Sequence, residues 1–316
     1  MSLKQKLCII AGPTAVGKTN ISILVAQKLC GEIISADSAQ VYKYMDIGTA
    51  KITNDEMKGI KHYMINEVFP DENFSAAIFK EKAERYIEDI SLRGKLPIIV
   101  GGTGLYINSL LNNLEFTDSI IDIDFRNEMR QLASEKGNEY IHQMLKNVDE
   151  YSYAKLHPND LKRVIRALEV YRHTGKPISY FQMLSKQQPC RYEYAYICLS
   201  MNRSRLYDRI EIRVDNMIKN GLIEEVKKLI ELGYKKEHTA LQALGYKEII
   251  DYLQGNYSLE EAIETLKKNT RHYAKRQLTW FRNDERTFWI NADNYFSLSA
   301  MAENIIRYAA GKISLI

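Results

Sequence analysis

Hydrophobic positions open the chain as a short run, Lys6 to Ala11, and after a Gly-rich turn recur at helical spacing as Ile21, Leu24, Val25 and Leu29. The two patterns predict a strand, a loop and a helix. Glu32 to Ala36, His62 to Ile65 and Leu96 to Val100 predict further strands, and a helix precedes the last of these. Ser75 reads as that helix's N-cap, Phe74 and Phe79 as the flanking pair of a hydrophobic staple, and Gly94 as its left-handed stop. Strands alternating with helices imply a parallel sheet. Past Leu114 the strand pattern disappears until Tyr192 to Ser200, and the remainder is mostly helix, with a capping box at Ser258 and Glu261 and a last strand at Phe288 to Ile290. The expected fold class is therefore α/β: a parallel sheet of the P-loop NTPase-like kind flanked by helices, with an inserted all-helical domain. Residues 1–114 and 190–316 would form the core and 115–189 the insertion, with no internal repeat or Pro-rich linker between them.

Composition narrows the class. At 45% hydrophobic and 27% charged over 316 residues, the chain is suited to burying a sizeable core. A formal charge of +4 requires any polyanion to meet a local patch and not a uniformly basic surface. No run approaches the roughly 20 apolar residues of a membrane span, and Gly, Pro and Lys interrupt the first apolar run too early for a signal peptide, so the expectation is a cytoplasmic protein with no membrane partner. Cys8, Cys30, Cys190 and Cys198 form no CxxC pair, which leaves them as small core residues.

The chemistry starts at Gly12, Pro13, Thr14, Ala15, Val16, Gly17, Lys18 and Thr19, which match GxxxxGK followed by Thr and lie between a predicted strand and helix. In such a loop, successive backbone N–H groups converge on an anion at the positive end of a helix. Lys18 adds a point charge and the Thr19 hydroxyl can bind Mg²⁺. ATP, another nucleotide and an isoprenoid diphosphate all present similar oxygens to it. The strand LPIIV, however, runs into Gly101 and Gly102 where phosphoryl-transfer enzymes commonly place a metal-binding acid, which weakens the case for ATP hydrolysis.

Asp37 directly follows the strand EIISA, at the strand end where α/β proteins bind ligands, and is either a general base or the cap of a turn shared with Ser38. The second Gly-rich turn, Gly101 to Gly104, offers amides and the Thr103 hydroxyl to the same crevice. Arg205, Arg209 and Arg213 share one helix face opposite Leu206, Ile210, Val214 and Met217. That face could hold an anion, or it could be solvated and relieved by Asp208, Glu211 and Asp215. Lys268, Arg271, Lys275 and Arg282, interleaved with Tyr273, Trp280 and Phe281, form a mixture suited to RNA. Lys162, Arg163 and Arg166 follow a helix cap at Asn159 or Asp160.

GPTAVGKT, DSAQVYKYMDIGTAK, GKLPIIVGGTGLYI, HPNDLKRVIRALEVYRHTGK, RIEIRVDNMIKNGLIEEV, LGYKE and AKRQLTWFR together resemble, in order and spacing, the bacterial tRNA dimethylallyltransferases, also called isopentenyltransferases. The resemblance covers nearly the whole chain. It implies transfer of a dimethylallyl group from dimethylallyl diphosphate to N6 of the adenine immediately 3′ of the anticodon, with Mg²⁺ as cofactor and the tRNA anticodon stem-loop as partner; a monomer is the separate expectation. Asp37 matches the family's base, the phosphate loop would hold the diphosphate, and Arg213, with Arg209 second, would stabilise its departing charge. By the same resemblance Asp37, Ser38, Ala39, Gln40 and Thr103 would touch the target nucleotide. Arg126 and the segment Lys162, Arg163, Val164, Ile165 and Arg166 would contact tRNA. Two positions depart from the family pattern: Lys162 stands where Gln is expected and Tyr63 where a second His is usual. The competing readings are a P-loop phosphotransferase, a nucleotide-gated RNA-binding protein, and an isopentenyltransferase acting on free AMP.

Overall fold

The computed structural model describes residues 4–113 and 121–313. Its chain divides into two compact units, Met1–Ile107 with Arg191–Ile316, and Asn108–Cys190. The first contains a six-stranded sheet: β1 (Gln5–Ala11), β2 (Gly31–Ala36), β3 (His62–Tyr63), β4 (Leu96–Gly101), β5 (Tyr192–Ser200) and β6 (Phe288–Asn291), in spatial order β3-β2-β4-β1-β5-β6. All five pairings are parallel. The central strands are buried throughout or nearly so, which is why they read as continuous apolar runs. β3 stops two residues short of the expected Ile65, because Met64 takes φ 63° and breaks the extended backbone.

Register sets up the site. Ala36 pairs with Gly101, and Gly101 with Ala11, so three neighbouring strands end at one level. Asp37, Gly102 and Gly12 each follow by one residue. The helices of this unit, in chain order, are α1 (Lys18–Lys28), α2 (Asn54–Met57), α3 (Ala76–Leu92) and α4 (Gly104–Leu111), the last of which runs across the unit boundary. After the insertion, which holds five helices (Ile123–Lys136, Asn138–Met144, Glu150–Lys155, Leu161–Thr174 and Ile178–Gln187, α5 to α9) among the described residues, come α10 (Arg203–Lys219), α11 (Leu222–Glu231), α12 (Tyr246–Leu253), α13 (Leu259–Arg282) and α14 (Leu298–Lys312). One core packs α1 and α14 onto the sheet, and a second joins α10 to α13 with residues 41–68.

Several local expectations hold. Ser75 Oγ accepts the Ile78 N–H, Gly94 takes φ 71°, and Ser258 and Glu261 form their capping box. Phe74 and Phe79 both meet Tyr106, edge-on at 6.2 Å and stacked at 4.3 Å between ring centroids. The cysteines need correction: Cys8 and Cys198 are buried, but Cys30 is exposed at φ 49° and Cys190 is only half-buried.

The second unit is helical: α5 (Ile123–Lys136), α6 (Asn138–Met144), α7 (Glu150–Lys155), α8 (Leu161–Thr174) and α9 (Ile178–Gln187). Its apolar core draws on Phe125, Met129, Ile141, Leu145, Val164 and Ile165. The expected boundary at Leu114 lies outside the described residues. Asp160 sits at the N-cap of α8, yet its side chain makes no capping bond. No helix among the described residues is long and apolar enough to cross a membrane.

Candidate functional site

The phosphate loop leaves β1 at Ala11 and enters α1 at Lys18. Gly17, the N-cap, takes φ 103°, which L side chains rarely adopt, and offers no capping side chain. The first-turn N–H groups of α1 therefore lack a side-chain acceptor, as an anion site requires. Lys18 Nζ donates to the carbonyls of Gly12 (2.9 Å) and Pro13 (2.7 Å). Burial pulls its pKa down to about 8 and Arg213 adds to the depression, while the Asp37 carboxylate opposes it.

Two of the three expected arginines on α10 reach this region. Arg209 Nε donates to the Ala15 carbonyl (2.8 Å), and Arg213 to the Thr49 carbonyl (3.2 Å). Burial lowers the Arg213 pKa, against the pull of Asp37. Arg205 instead pairs with Asp293 at 2.5 Å. Of the acids expected to relieve this arginine face, Glu211 and Asp215 serve α13: Glu211 pairs with Arg271 and Asp215 with Lys267. Arg271 is thus committed to an ion pair and Phe281 is buried in the core, so of the stripe expected on α13 Lys268, Lys275, Trp280 and Arg282 remain exposed. Tyr273 turns inward to the cleft.

Asp37 serves the turn and leaves an oxygen over. Its Oδ1 accepts the N–H groups of Ala39 (2.9 Å) and Gln40 (3.4 Å), and among the described residues Oδ2 accepts no hydrogen bond. Ser38 N–H donates to Thr103 Oγ1 (3.2 Å), tying the β2 end to the second Gly turn. Gln40 donates to the Thr49 carbonyl (3.3 Å), so its amide supports the loop that follows.

Sequence reasoning missed Gln277. Its Oε1 accepts the Thr14 N–H (2.8 Å) and its Nε2 donates to the Gly102 carbonyl (3.0 Å), joining both Gly-rich turns through one buried amide. A Cβ on Gly102 would lie 2.1 Å from Nε2, and one on Gly104 would lie 2.1 Å from the Trp280 ring. These glycines are required by the close approach of α13. Tyr273 lies beside Thr103 and Gln277, and burial raises its pKa. A signal existed: Gln277 lies on the stripe Leu266, Thr270, Ala274, Phe281, where an unpaired amide would be costly.

Two cavities meet at Asp37. One, of 690 Å³, is lined by the phosphate loop, Lys18, Thr19, Arg209, Asp46, Ile47 and residues 50–53. The other, of 290 Å³, is lined by Ser38, Ala39, Leu244, Lys247, Thr270 and Arg276 among others. Thr14, Asp37, Arg213, Met217 and Tyr273 line both. A group entering from each side would meet its counterpart beside the free Asp37 oxygen. Among the described residues no cluster of three or more His, Cys, Asp or Glu could cage a metal. Mg²⁺ commonly keeps waters and substrate phosphates as its main ligands, so a single hydroxyl from Thr19 beside a diphosphate suits it.

In the helical unit the expected RNA contacts divide. Val164 and Ile165 are buried in its apolar core, so their side chains cannot meet RNA. Arg126 forks onto the buried Glu169 (2.7 and 2.8 Å), and Arg166 reaches the same carboxylate (2.5 Å), which gives both a structural engagement. Lys162 and Arg163 are exposed, Arg163 in a loose pair with Asp160 at 3.4 Å.

A family model described as IPP transferase matches residues 40–284. The tRNA dimethylallyltransferase of Acetivibrio thermocellus is 55% identical over 306 residues, 97% of this chain and 98% of that one. That of Thermoanaerobacter sp. strain X514 is 53% identical over 98% and 99% of the two chains. Among solved structures, the full-length tRNA isopentenylpyrophosphate transferase of Bacillus halodurans superimposes with a TM-score of 0.73 at 46% identity, covering 98% of this chain and 97% of its own. A eukaryotic dimethylallyltransferase described as acting on tRNA gives a TM-score of 0.78 at 32% identity, over 97% of this chain and 78% of that one.

Proposed function

This chain belongs to the IPP transferase family, the tRNA dimethylallyltransferases, and is an enzyme of tRNA modification by prenyl transfer; we propose that it moves a dimethylallyl group from dimethylallyl diphosphate to N6 of the adenine 3′ of the anticodon. The observation that carries the finer reading is the position of Asp37, between a cavity walled by a phosphate loop and a second one away from it.

In the 690 Å³ cavity the amides at the start of α1, Lys18 and Arg209 hold the diphosphate. The adenine, flipped out of its stack, enters the 290 Å³ cavity, where Tyr273 and Arg276 border it. Its N6 lone pair is delocalised into the ring and weakly nucleophilic, so the free Asp37 oxygen takes the N6 proton as the N6–C1 bond forms. The C1–O bond to diphosphate breaks in the same displacement, and the electron pair leaves with the phosphate oxygen. Arg213 and Lys18 stabilise that charge from a site sheltered from solvent, where such interactions are strong. Mg²⁺, held by the diphosphate and the Thr19 hydroxyl, would neutralise part of the same leaving charge. Lys162 and Arg163 offer the exposed cations of the helical unit to the tRNA backbone.

The test is incubation with dimethylallyl diphosphate, Mg²⁺ and unmodified tRNA, followed by nucleoside mass spectrometry, with AMP and ATP controls. A dimethylallyl mass gain on tRNA adenosine alone supports the reading. Conversion of AMP in place of tRNA, or ATP consumption without alkylation, refutes it.

A further inference from the structure

Glu225 lies in α11, outside every role assigned above, yet one carboxylate there gathers four donors. Its Oε2 accepts the N–H groups of Asp46 and Ile47 (both 2.8 Å). Its Oε1 accepts the Gly48 N–H (3.1 Å) and the Tyr246 hydroxyl (2.7 Å). Three consecutive amides of the loop after β2 are thus held by one charge. The Tyr246 ring fits against Gly48 so closely that a Cβ there would lie 2.6 Å from it. The next residue is Thr49, whose carbonyl accepts the Arg213 guanidinium (3.2 Å) and the Gln40 amide (3.3 Å). Ala50 then takes φ 45°, a conformation a non-glycine residue holds only when its surroundings impose it. Lys51, buried, closes the turn from the other side by donating to the Tyr42 carbonyl and to Asp46.

We propose that Glu225, with Tyr246, is a positioning residue for transfer. It clamps the 46–48 turn and, through the Thr49 carbonyl, aims Arg213 at the leaving diphosphate. The inference rests on the role proposed above for Arg213. Without the clamp the guanidinium loses its fixed acceptor, and a displacement of about 1 Å at such a group costs on the order of 100-fold in rate.

The test is a double-mutant cycle of Glu225→Gln and Arg213→Gln, with kcat and both KM values measured on dimethylallyl diphosphate and an anticodon stem-loop. Glu225→Gln retains the side chain's shape but replaces one acceptor oxygen with a donor. The expected result is a kcat lower by about 100-fold, an unchanged KM for the stem-loop, and no more than about a twofold further loss in the Arg213→Gln background. Losses that multiply in the double variant, or a stem-loop KM that rises in parallel, make Glu225 a general structural residue and overturn the proposal. Full turnover in Arg213→Gln would remove the Arg213 assignment itself. Full turnover in Glu225→Gln beside an impaired Arg213→Gln would remove only the clamp. Should Glu225→Gln not fold, Tyr246→Phe, which keeps the ring and deletes the hydroxyl, takes its place in the cycle under the same criteria.

Discussion

Replacing Asp37 by Asn separates its two possible duties. Oδ1 accepts the N–H groups of Ala39 and Gln40 at 2.9 and 3.4 Å, and an Asn carbonyl oxygen in the same place retains both. The Oδ2 position becomes an NH₂ group that cannot take a proton. Because the turn is preserved, stability should change by no more than about 0.5 kcal/mol. Loss of a general base removes roughly 10²- to 10⁴-fold in rate, about 3–5 kcal/mol on the barrier at 1.36 kcal/mol per tenfold. Single-turnover transfer to tRNA under saturating dimethylallyl diphosphate reads the rate, a urea titration reads stability, and filter binding reads tRNA affinity. The expected outcome is a rate loss of at least about 100-fold with stability and affinity intact. Turnover within tenfold of the parent would refute the base assignment. A loss that appears only in Asp37→Ala, together with lower stability, would show that the turn and not proton transfer is what Asp37 supplies.

Gln277→Ala leaves the Thr14 N–H and the Gly102 carbonyl without their partner, at about 1–3 kcal/mol for each buried group, softened where the cleft admits water; it should lower the urea midpoint and raise the KM for dimethylallyl diphosphate together. An unchanged KM would show that this bridge does not shape the phosphate loop. The Lys18 pKa of about 8 means that above that pH the amine must take up a proton when a diphosphate binds, so donor affinity should weaken as pH rises through 8 and the dependence should vanish in Lys18→Met. At the far side of the sheet, Arg93, burial-opposed but dominant, holds Glu32 at about 2 with help from Lys95 and Tyr63. The folded pKa lies below the ordinary 4.5, so this stabilisation is complete above pH 4.5 and fades as pH falls towards 2. The shift amounts to roughly 3 kcal/mol, reduced to about 1–2 kcal/mol by the exposure of Arg93 and Lys95. The stability gap between the parent and Glu32→Gln should narrow over that window, and a gap constant from pH 6 to 2.5 would contradict the argument.

Much of the sheet and its site was legible because both rest on local rules. A buried parallel strand must be apolar along its length, so β1, β2, β4 and β5 announce themselves, and a phosphate loop must be a glycine turn entering a helix. Asp37 and Thr103 could be placed together because neighbouring parallel strands end on the same side. The points where the structure adds to that picture have a common cause. Val164, Ile165 and Phe281 fall in stretches expected to face RNA, but their helices turn these side chains into cores. Arg126, Arg166 and Arg271 lie in stretches expected to contact RNA, and each is also paired with a carboxylate, Arg126 and Arg271 across long sequence separations and Arg166 with Glu169 three residues on.

The sequence alone determined the α/β class, the phosphate loop, the family, and the candidate base, because each depends on residues adjacent in the chain or on motif order. Only the tertiary structure decided which groups of α10, α11 and α13 face the cleft. Gln277 meets Thr14 across 263 positions and Glu225 meets Ile47 across 178, and nothing in the chemistry of a lone Gln or Glu says which distant backbone group it will satisfy. Those pairings follow from how helices pack on the sheet and on one another, where every buried polar group must find a partner wherever the fold brings one within reach.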